Sequence, residues 1–265
     1  MNYHIPLFFV RNLLRQSYSL LICPQVCLLC GKPDSCGLPV CRHCIHTVFM
    51  PYISDGTTQP GKKIERCTYC GKILISEHDY CTRCRQALDS SCTDGNSGAA
   101  AHKTACTRIY SLFPYVGLGQ KLVPLWKNNA VRSFASVFAL LIRQFLITNP
   151  HLAQLPLVPV PPRPQKLREK GWDQVEDLVQ ELSIYSQTKV CRCLRRLDGT
   201  AQKKLSKTDR AGNLLGKIRS VTTQIPEKVL LLDDVMTTGA TLESCAYVLK
   251  NTGCKEVYAL CLFFD

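Results

Sequence analysis

The sequence has no apolar run long enough to cross a membrane, few acidic side chains and few aromatic ones. Its apolar patches stay well short of the roughly 20 uninterrupted residues that a membrane-spanning helix requires. Only 20 Asp and Glu residues oppose 33 Lys and Arg residues, so the formal net charge is +13. This excess favours polyanionic partners or phosphorylated substrates, although a generally solvated basic surface has the same composition. Because only 8% of the residues are aromatic, a surface built to stack on single-stranded nucleic acid is disfavoured.

The beginning of the chain is a poor match to an export signal. Its short apolar patches are interrupted by Arg11 and Arg15, whereas a signal peptide needs one continuous apolar core. We predict that residues 1–22 form an amphipathic helix that docks on the module that follows. The lack of an export signal and the reduced thiols described below predict a cytoplasmic protein.

Cysteine, by contrast, is abundant, with 17 in the chain. Eight of them form four pairs with the spacing C-x-x-C: Cys27/Cys30, Cys41/Cys44, Cys67/Cys70 and Cys81/Cys84. The third and fourth pairs repeat the first and second at an offset of 40 residues, and a Gly-Lys dipeptide follows both the first and the third pair. The region therefore contains an internal repeat of a two-pair unit.

This spacing is typical of structural zinc sites. A two-residue gap lets both thiolates of a pair turn toward one ion, and four sulfurs complete a closed tetrahedral site. Eight thiolates predict two structural Zn²⁺ ions. Disulfides would require an oxidising compartment, and a redox C-x-x-C would normally occur once, beside a βαβ unit. Sequential sites and interleaved sites use the same residues, but the internal repeat favours the sequential pairing.

Other cysteine and histidine residues close to the pairs could replace a ligand, although such neighbours are more often bystanders: Cys23, Cys36, His43, His46 and His78. A further set of cysteines lies in apolar surroundings and is predicted to form small buried hydrophobic side chains: Cys191, Cys193, Cys245 and Cys261.

Composition and periodicity divide the chain into a cysteine-rich module at 23–88, a small and polar linker at 89–107 and a second domain at 108–265. Strand-like and helix-like segments alternate in the second domain. We predict strands at 110–116, 155–160, 189–193, 229–232 and 256–263, and helices at 131–147, 173–183 and 241–251. This alternation predicts an α/β fold with a mostly parallel sheet, whose ligands bind at the carboxyl ends of the strands.

The segment V-L-L-L-D-D-V-M-T-T-G-A-T, residues 229–241, has the continuous apolar character of a central strand followed by a polar loop. Asp233 and Asp234 can accept hydrogen bonds from two vicinal sugar hydroxyls. The loop residues predict a phosphate site at a helix N-terminus, with Thr241 as the helix cap, and the candidate ligands are Thr237, Thr238, Gly239, Ala240 and Thr241. A phosphate beside a diol indicates a ribose 5-phosphate. The alternative is an ordinary strand end and helix cap.

The segment 229–241 resembles the phosphoribosyl pyrophosphate (PRPP) motif of type I phosphoribosyltransferases. Two further stretches are similar to signatures of the ComF family. P-V-P-P-R-P-Q-K-L-R-E-K-G-W-D-Q (159–174) resembles its proline-rich loop, and T-A-Q-K-K-L-S-K-T-D-R-A-G-N (200–213) resembles a second signature of that family. The cysteine repeat likewise resembles the double zinc ribbon of that family. The resemblance runs from about Leu13 to the last residue.

The resemblance implies a type I phosphoribosyltransferase-like sheet flanked by helices, a ligand of PRPP with Mg²⁺, and a role in natural competence. It implies catalytic roles for Asp233 and Asp234. It also implies pyrophosphate-binding and flap roles for Arg163, Arg168, Lys170, Gln202, Arg210 and Asn213. The chain departs from the family pattern R-G-F-N-Q at residues 170–174, where it has K-G-W-D-Q. Lys170 keeps the charge without the bidentate fork, and Asp173 adds a negative charge.

Three functions are compatible with these residues. The first is an enzyme that transfers a pentosyl group to a nucleobase or amine that the sequence does not identify. The second is a competence factor that binds single-stranded DNA on its basic face and acts with other competence proteins, with PRPP as a ligand. The third is a PRPP sensor without turnover.

Overall fold

The computed structural model describes residues 25–34, 36–53, 57–59, 62–63, 65–89, 105–185, 188–197 and 217–265. Several predictions fall outside the described residues: the helix at 1–22, Cys23, most of the linker, and Gln202, Arg210 and Asn213. The domain limits therefore stay predictions.

The cysteine-rich region consists of short elements that bring the cysteine pairs together. Its strands are β1 (Gln25–Val26), β2 (Pro33–Asp34), β3 (Thr57–Gln59) and β4 (Lys62–Lys63). Its helices are α1 (Arg42–Cys44), α2 (Met50–Ile53) and α3 (Thr82–Asp89), with a wide helical turn between the first two at Ile45–Phe49.

The remaining strands and helices lie between residues 108 and 264. The strands are β5 (Arg108–Pro114), β6 (Leu157–Pro159), β7 (Leu194–Arg196), β8 (Ile218–Ser220), β9 (Lys228–Met236) and β10 (Glu256–Phe264). The helices are α4 (Gln120–Lys127), α5 (Phe134–Thr148), α6 (Pro150–Ala153), α7 (Pro164–Lys170), α8 (Gln174–Tyr185) and α9 (Ala240–Asn251).

Four of these strands form a parallel sheet in the order β5-β10-β9-β6. The predicted α/β fold class, a parallel sheet flanked by helices and preceded by a cysteine-rich module, is confirmed. β9 lies inside the sheet, between β10 and β6, which explains why its first half is continuously apolar. All four strands point the same way, so their carboxyl ends share one edge of the sheet.

The two faces of the sheet have separate cores, because successive side chains of a strand point to opposite faces. On β9, Leu230 and Leu232 belong to a core that includes side chains of α5 and α8. Val229 and Leu231 belong to the other core, together with side chains of α9 and the β7–β8 pair. β9 is buried on both faces, because these four side chains are at most 1% exposed.

Each half of the cysteine repeat packs into one of these cores. Cys27, Cys41 and Cys44 lie in the core on the α5 side, where the ring of Phe49 meets that of Phe113 with 5.3 Å between centroids. The second half lies in the core on the α9 side, through Cys67, Cys70, Cys81 and Cys84. The repeated units therefore sit on opposite faces of the sheet.

Three predictions about elements were wrong. The strand expected at 189–193 makes only one bridge, between Val190 and Leu157, and the chain then turns so that β7 pairs with β8 instead. Residues 164–170, expected as a loop, form α7, because Pro164 stands at the first helical position, where its missing N–H costs nothing. The strand β9 continues to Met236 and includes Asp233 and Asp234, which were expected in the following loop.

Within the described part of the chain, no helix combines the length and apolar character needed to span a bilayer. Cys193, Cys245 and Cys261 are buried as predicted, whereas Cys191 is only half-buried.

Candidate functional site

The acid pair lies at the carboxyl end of β9, where that strand still pairs with β10: Asp233 is level with Cys261, and Val235 with Phe263. The Asp234 carboxylate forms an ion pair with Lys127 at the end of α4, with 2.6 Å between Nζ and Oδ2. Both side chains are largely shielded from solvent, with 14% of Asp234 and 28% of Lys127 exposed. Lys127 is therefore a part of the site that sequence reasoning missed.

The site is crowded with negative charge. Burial, together with the neighbouring charge of Asp234, raises the pKa of Asp233 to about 7. Burial also raises the pKa of Asp173 to about 6, and Asp234 contributes to this shift. Lys127 opposes the shift at Asp233. Three carboxyl groups thus converge beside one shielded lysine, which is an arrangement suited to hydroxyl donors or a cation.

Asp173 has a structural role that explains its place in the chain. Its Oδ1 accepts hydrogen bonds from the backbone N–H groups of Val175 at 3.0 Å and Glu176 at 3.1 Å. It therefore caps the N-terminus of α8. Asn and Asp cap helices about equally well, so the departure from the family pattern at this position keeps the cap.

The polar loop between β9 and α9 consists of Thr237, Thr238 and Gly239. Gly239 directly precedes α9 and has a φ of 70°. This is a left-handed conformation, which glycine adopts at little cost because it has no side chain. The backbone N–H of Ala240 approaches Thr238 Oγ1 at 3.4 Å. The prediction that Thr241 caps the helix was wrong, because α9 already begins at Ala240.

A cavity of about 40 Å³ opens above this loop. Its lining brings together one of the predicted acids and all five predicted loop residues: Asp233, Thr237, Thr238, Gly239, Ala240 and Thr241. The loop lies at the N-terminus of a 12-residue helix, where unpaired N–H groups and the helix dipole favour an anion.

The cations of the segment 159–174 have different partners. Arg163 precedes α7 and interacts electrostatically with Arg196, whose pKa is lowered by burial and by that neighbouring charge, while Asp233 acts in the opposite sense. Arg196, on β7, is therefore an additional cation of the site. Lys170, by contrast, donates to the backbone carbonyl of Lys127 at 2.6 Å and lies 5.8 Å from the Trp172 ring centre.

A larger cavity of about 290 Å³ lies beside Lys127, the partner of Asp234. It is lined by Tyr115, Val123, Pro124, Lys127, Asn128, Val235, Thr237 and Asp265. Since Val235 and Thr237 line both cavities, the two cavities share a wall.

The cysteine pairs form two closed groups, Cys27, Cys30, Cys41 and Cys44, and Cys67, Cys70, Cys81 and Cys84, in each of which all sulfurs lie within 4.8 Å of one another. The sequential pairing predicted from the repeat is confirmed. The sulfurs of Cys30 and Cys41 are 3.8 Å apart, and those of Cys70 and Cys81 3.7 Å apart. Four sulfurs placed at about 2.3 Å around one tetrahedral Zn²⁺ would be separated by about 3.8 Å, so each group fits a structural zinc.

The backbone of the two groups repeats as closely as the sequence does. The N–H of Cys27 donates to the Lys32 carbonyl at 2.9 Å, and the N–H of Cys67 donates to the Lys72 carbonyl at 2.8 Å. Among the described extra ligand candidates, none joins either group. Cys36 instead points its thiol at the Val40 carbonyl.

No family model matches the chain. Competence protein ComFC of Streptococcus pneumoniae is 30% identical over 100 residues, which cover 38% of this chain and 44% of that protein. The chain thus matches less than half of the length of that relative. Competence protein F of Haemophilus influenzae is 27% identical over 216 residues, which cover 72% of this chain and 93% of that protein.

Fold and site together define an α/β protein with a parallel sheet, an acid pair and a polar loop at its carboxyl edge, and two tetracysteine groups suited to zinc. The chain is a homologue of these two competence proteins, which confirms the resemblance drawn from its motifs.

Proposed function

We propose that the chain binds PRPP with Mg²⁺ at the carboxyl end of β9 and transfers the phosphoribosyl group to a nitrogen nucleophile, in a role connected with competence. One observation carries this proposal: a buried central strand carries two acids near its carboxyl end, two residues before a loop and helix N-terminus that suit a phosphate. The names of the two relatives support the connection with competence.

In this proposal the 5-phosphate binds in the cavity above Thr237, Thr238 and Gly239. Backbone N–H groups of the loop and the first turn of α9 donate to the phosphate oxygens, and the threonine hydroxyls add further donors. The cavity is small, which matches the terminal phosphate group of a sugar better than a bulky ligand.

The ribose lies over Asp233 and Asp234, whose carboxylates accept hydrogen bonds from its two vicinal hydroxyls. Carboxylate oxygens are also ligands that Mg²⁺ accepts, so the pair fits the ion that accompanies PRPP and offsets the charge of its pyrophosphate. Lys127 holds Asp234 in place through their ion pair. The acids further stabilise the positive charge that develops on the ribose as the bond to pyrophosphate breaks.

During transfer, the bond between ribose C1 and the pyrophosphate oxygen breaks and its electron pair leaves with pyrophosphate. The nucleophile nitrogen forms the new bond to C1 and then loses a proton to solvent. We assign the stabilisation of the departing charge to Arg163 and Arg196, because Arg196 interacts electrostatically with both Arg163 and Asp233. The family pattern assigns Arg168, Lys170 and the flap residues Gln202, Arg210 and Asn213 to the same task.

Titration calorimetry of the zinc-loaded protein with PRPP and Mg²⁺ tests the ligand. The variant Asp233→Asn/Asp234→Asn should bind at least tenfold more weakly, since amides cannot replace two carboxylate acceptors. Glu227→Gln is the matched control, because Glu227 is an exposed carboxylate next to the opposite end of β9, paired only at the surface with Lys255. Equal binding by the double variant and wild type would contradict the proposed site.

Pyrophosphate release, measured in the same samples, separates turnover from binding. Release on addition of a nucleobase or amine would support the transferase. Saturable binding without release for any acceptor would leave a PRPP sensor. Single-stranded DNA is included as a third addition at several salt concentrations. If the protein binds DNA through phosphate contacts, its affinity for DNA should fall steeply as the salt concentration rises.

A further inference from the structure

The second cysteine group, Cys67 to Cys84, contacts the loop that we assign to the phosphate. Arg83 stands between the ligands Cys81 and Cys84, at the start of α3. Its guanidinium Nη1 donates to the backbone carbonyl of Thr237 at 2.9 Å. This contact joins residues that are 154 positions apart in the chain.

The backbone that carries Arg83 is fixed on both sides. Cys81 and Cys84 flank it and would both ligate the zinc. The Glu77 carboxylate accepts from the backbone N–H of Thr82 at 2.6 Å, and the N–H of Arg85 donates to the Cys81 carbonyl at 3.0 Å. The position of Arg83 is therefore set by the metal group rather than by a free loop.

The same group is attached to the helix that follows the phosphate loop. Tyr69, between Cys67 and Cys70, donates its hydroxyl to the Glu243 carboxylate in the first turn of α9. The other oxygen of Glu243 accepts from the N–H of Ala105 at 2.6 Å. Two contacts thus connect the second group to the phosphate site, one at the loop and one at the helix.

Among the described residues, the first group makes no contact with the loop after β9 or with α9. The residue at the position of Arg83 in the first repeat, 40 residues earlier, is His43, which also stands between two ligands and is exposed, as Arg83 is. The difference is that Arg83 contacts the Thr237 carbonyl. The first group packs on the opposite face of the sheet, in the core on the α5 side. The repeat therefore provides an internal control for the role of Arg83.

We propose that the second zinc group supplies Arg83 as a positioning residue for the phosphate of the sugar ligand. Arg83 holds the Thr237 carbonyl so that the following N–H groups face the cavity, and its charge favours an anion there. This inference rests on the proposed function, and its ligand class is a sugar with a terminal phosphate.

The test compares Arg83→Met with wild type in calorimetric titrations of the full chain. Three probes are used: PRPP with Mg²⁺, ribose 5-phosphate, and inorganic pyrophosphate. Affinity for PRPP and for ribose 5-phosphate should fall about five- to twentyfold, as expected for loss of one charge-assisted contact. Affinity for pyrophosphate should not change, because that part of the ligand lies near Arg163 and Arg196.

Three further variants make the result specific. Arg83→Lys should recover part of the affinity, since it restores the charge without the planar fork. His43→Met, at the equivalent position of the first group, and Arg85→Met, in the same helix as Arg83, should bind all three probes like wild type. Zinc content and melting temperature, measured on every variant, should stay at two ions and within a few degrees of wild type.

The outcomes are distinguishable. If wild type binds neither PRPP nor ribose 5-phosphate, the proposed function fails and the role of Arg83 fails with it. If wild type binds both and Arg83→Met binds them equally well, only the role of Arg83 is overturned. The role of Arg83 is also overturned if Arg83→Met lowers the affinity for pyrophosphate as much as the affinity for ribose 5-phosphate, because a general loss of fold would lower both.

Discussion

The two cysteine groups have nearly the same local structure and very different surroundings. Both close four sulfurs around one point, and both use a left-handed glycine after the first pair, with φ values of 71° at Gly31 and 70° at Gly71. The first contributes apolar side chains to an aromatic core. The second makes polar contacts to the edge strand β5, to α9 and to the loop after β9. Ligand spacing thus determines which sulfurs come together, while the residues between and beside the ligands determine which parts of the fold the group contacts.

Removing one ligand from each group gives the largest expected effect on this comparison. Cys44→Ser and Cys84→Ser should each reduce the zinc content from two ions to one and lower stability by roughly 5 kcal/mol or more, because binding of a structural zinc is coupled to folding. Only Cys84→Ser should also abolish binding of ribose 5-phosphate. Zinc quantification and calorimetry measure both properties. Equal loss of binding in a folded Cys44→Ser protein would contradict the difference between the groups.

The next largest expected loss of stability comes from replacing Arg66. Its guanidinium donates to four backbone carbonyls, those of Gly71, Ser111, Tyr52 and Leu112, at 3.0, 2.8, 3.0 and 3.1 Å. Burial lowers its pKa to about 10, so it stays charged at neutral pH. Arg66→Met should cost about 3 kcal/mol in chemical denaturation, since it leaves partly buried acceptors unpaired.

The control for Arg66 is the residue 40 positions earlier, Val26, which is 51% exposed. Val26→Ala should change stability by less than about 0.5 kcal/mol. A small effect of Arg66→Met would mean that the second group is held to β5 mainly by its apolar contacts.

The two equivalent glycines separate local strain from docking. A Cβ on Gly71 would lie 2.8 Å from the backbone N of Ser111 and 3.2 Å from the Ile109 carbonyl, whereas a Cβ on Gly31 would meet nothing within 4 Å. Gly31→Ala should therefore cost about 1 kcal/mol for its backbone conformation alone. Gly71→Ala should cost about 1–3 kcal/mol more, because the module must move away from β5. Equal losses in denaturation experiments would refute this explanation.

Tyr69→Phe gives the smallest expected effect. It removes one hydrogen bond to Glu243, whose carboxylate keeps its contact with the N–H of Ala105. A loss of about 1 kcal/mol is expected. The first group has Leu29 at the equivalent position, so it has no hydroxyl to lose. Urea denaturation of Tyr69→Phe beside wild type measures the difference, and an unchanged midpoint would exclude this contact as a stabilising one.

Local sequence patterns predicted what is decided locally. The repeat at 40 residues predicted which cysteines share a site, and the apolar run before Asp233 predicted a central strand with a polar loop after it. The end of that strand was predicted too early, because acids are rarely associated with a strand interior, while pairing with β10 continues past them. Likewise the prolines of residues 159–164 favoured a loop over a helix in the prediction, although Pro164 is the first residue of α7.

The site residues that were not predicted from the sequence are all far from β9 along the chain. Lys127, Arg196 and Arg83 come from α4, β7 and the cysteine repeat, and only the folded sheet brings them to β9. Nothing in the local sequence distinguishes Arg83 from the other exposed arginines of the repeat.

The contact between Arg83 and Thr237 also has a consequence for the order of events during synthesis. All eight cysteines lie within residues 27–84, so zinc can be bound while most of the chain is still unmade. The contacts with Thr237 and Glu243 span 154 and 174 residues and must wait for nearly the whole polypeptide. The metal groups would therefore be finished early and serve as a preformed surface on which the sheet assembles, with the loop after β9 among the last parts to be placed.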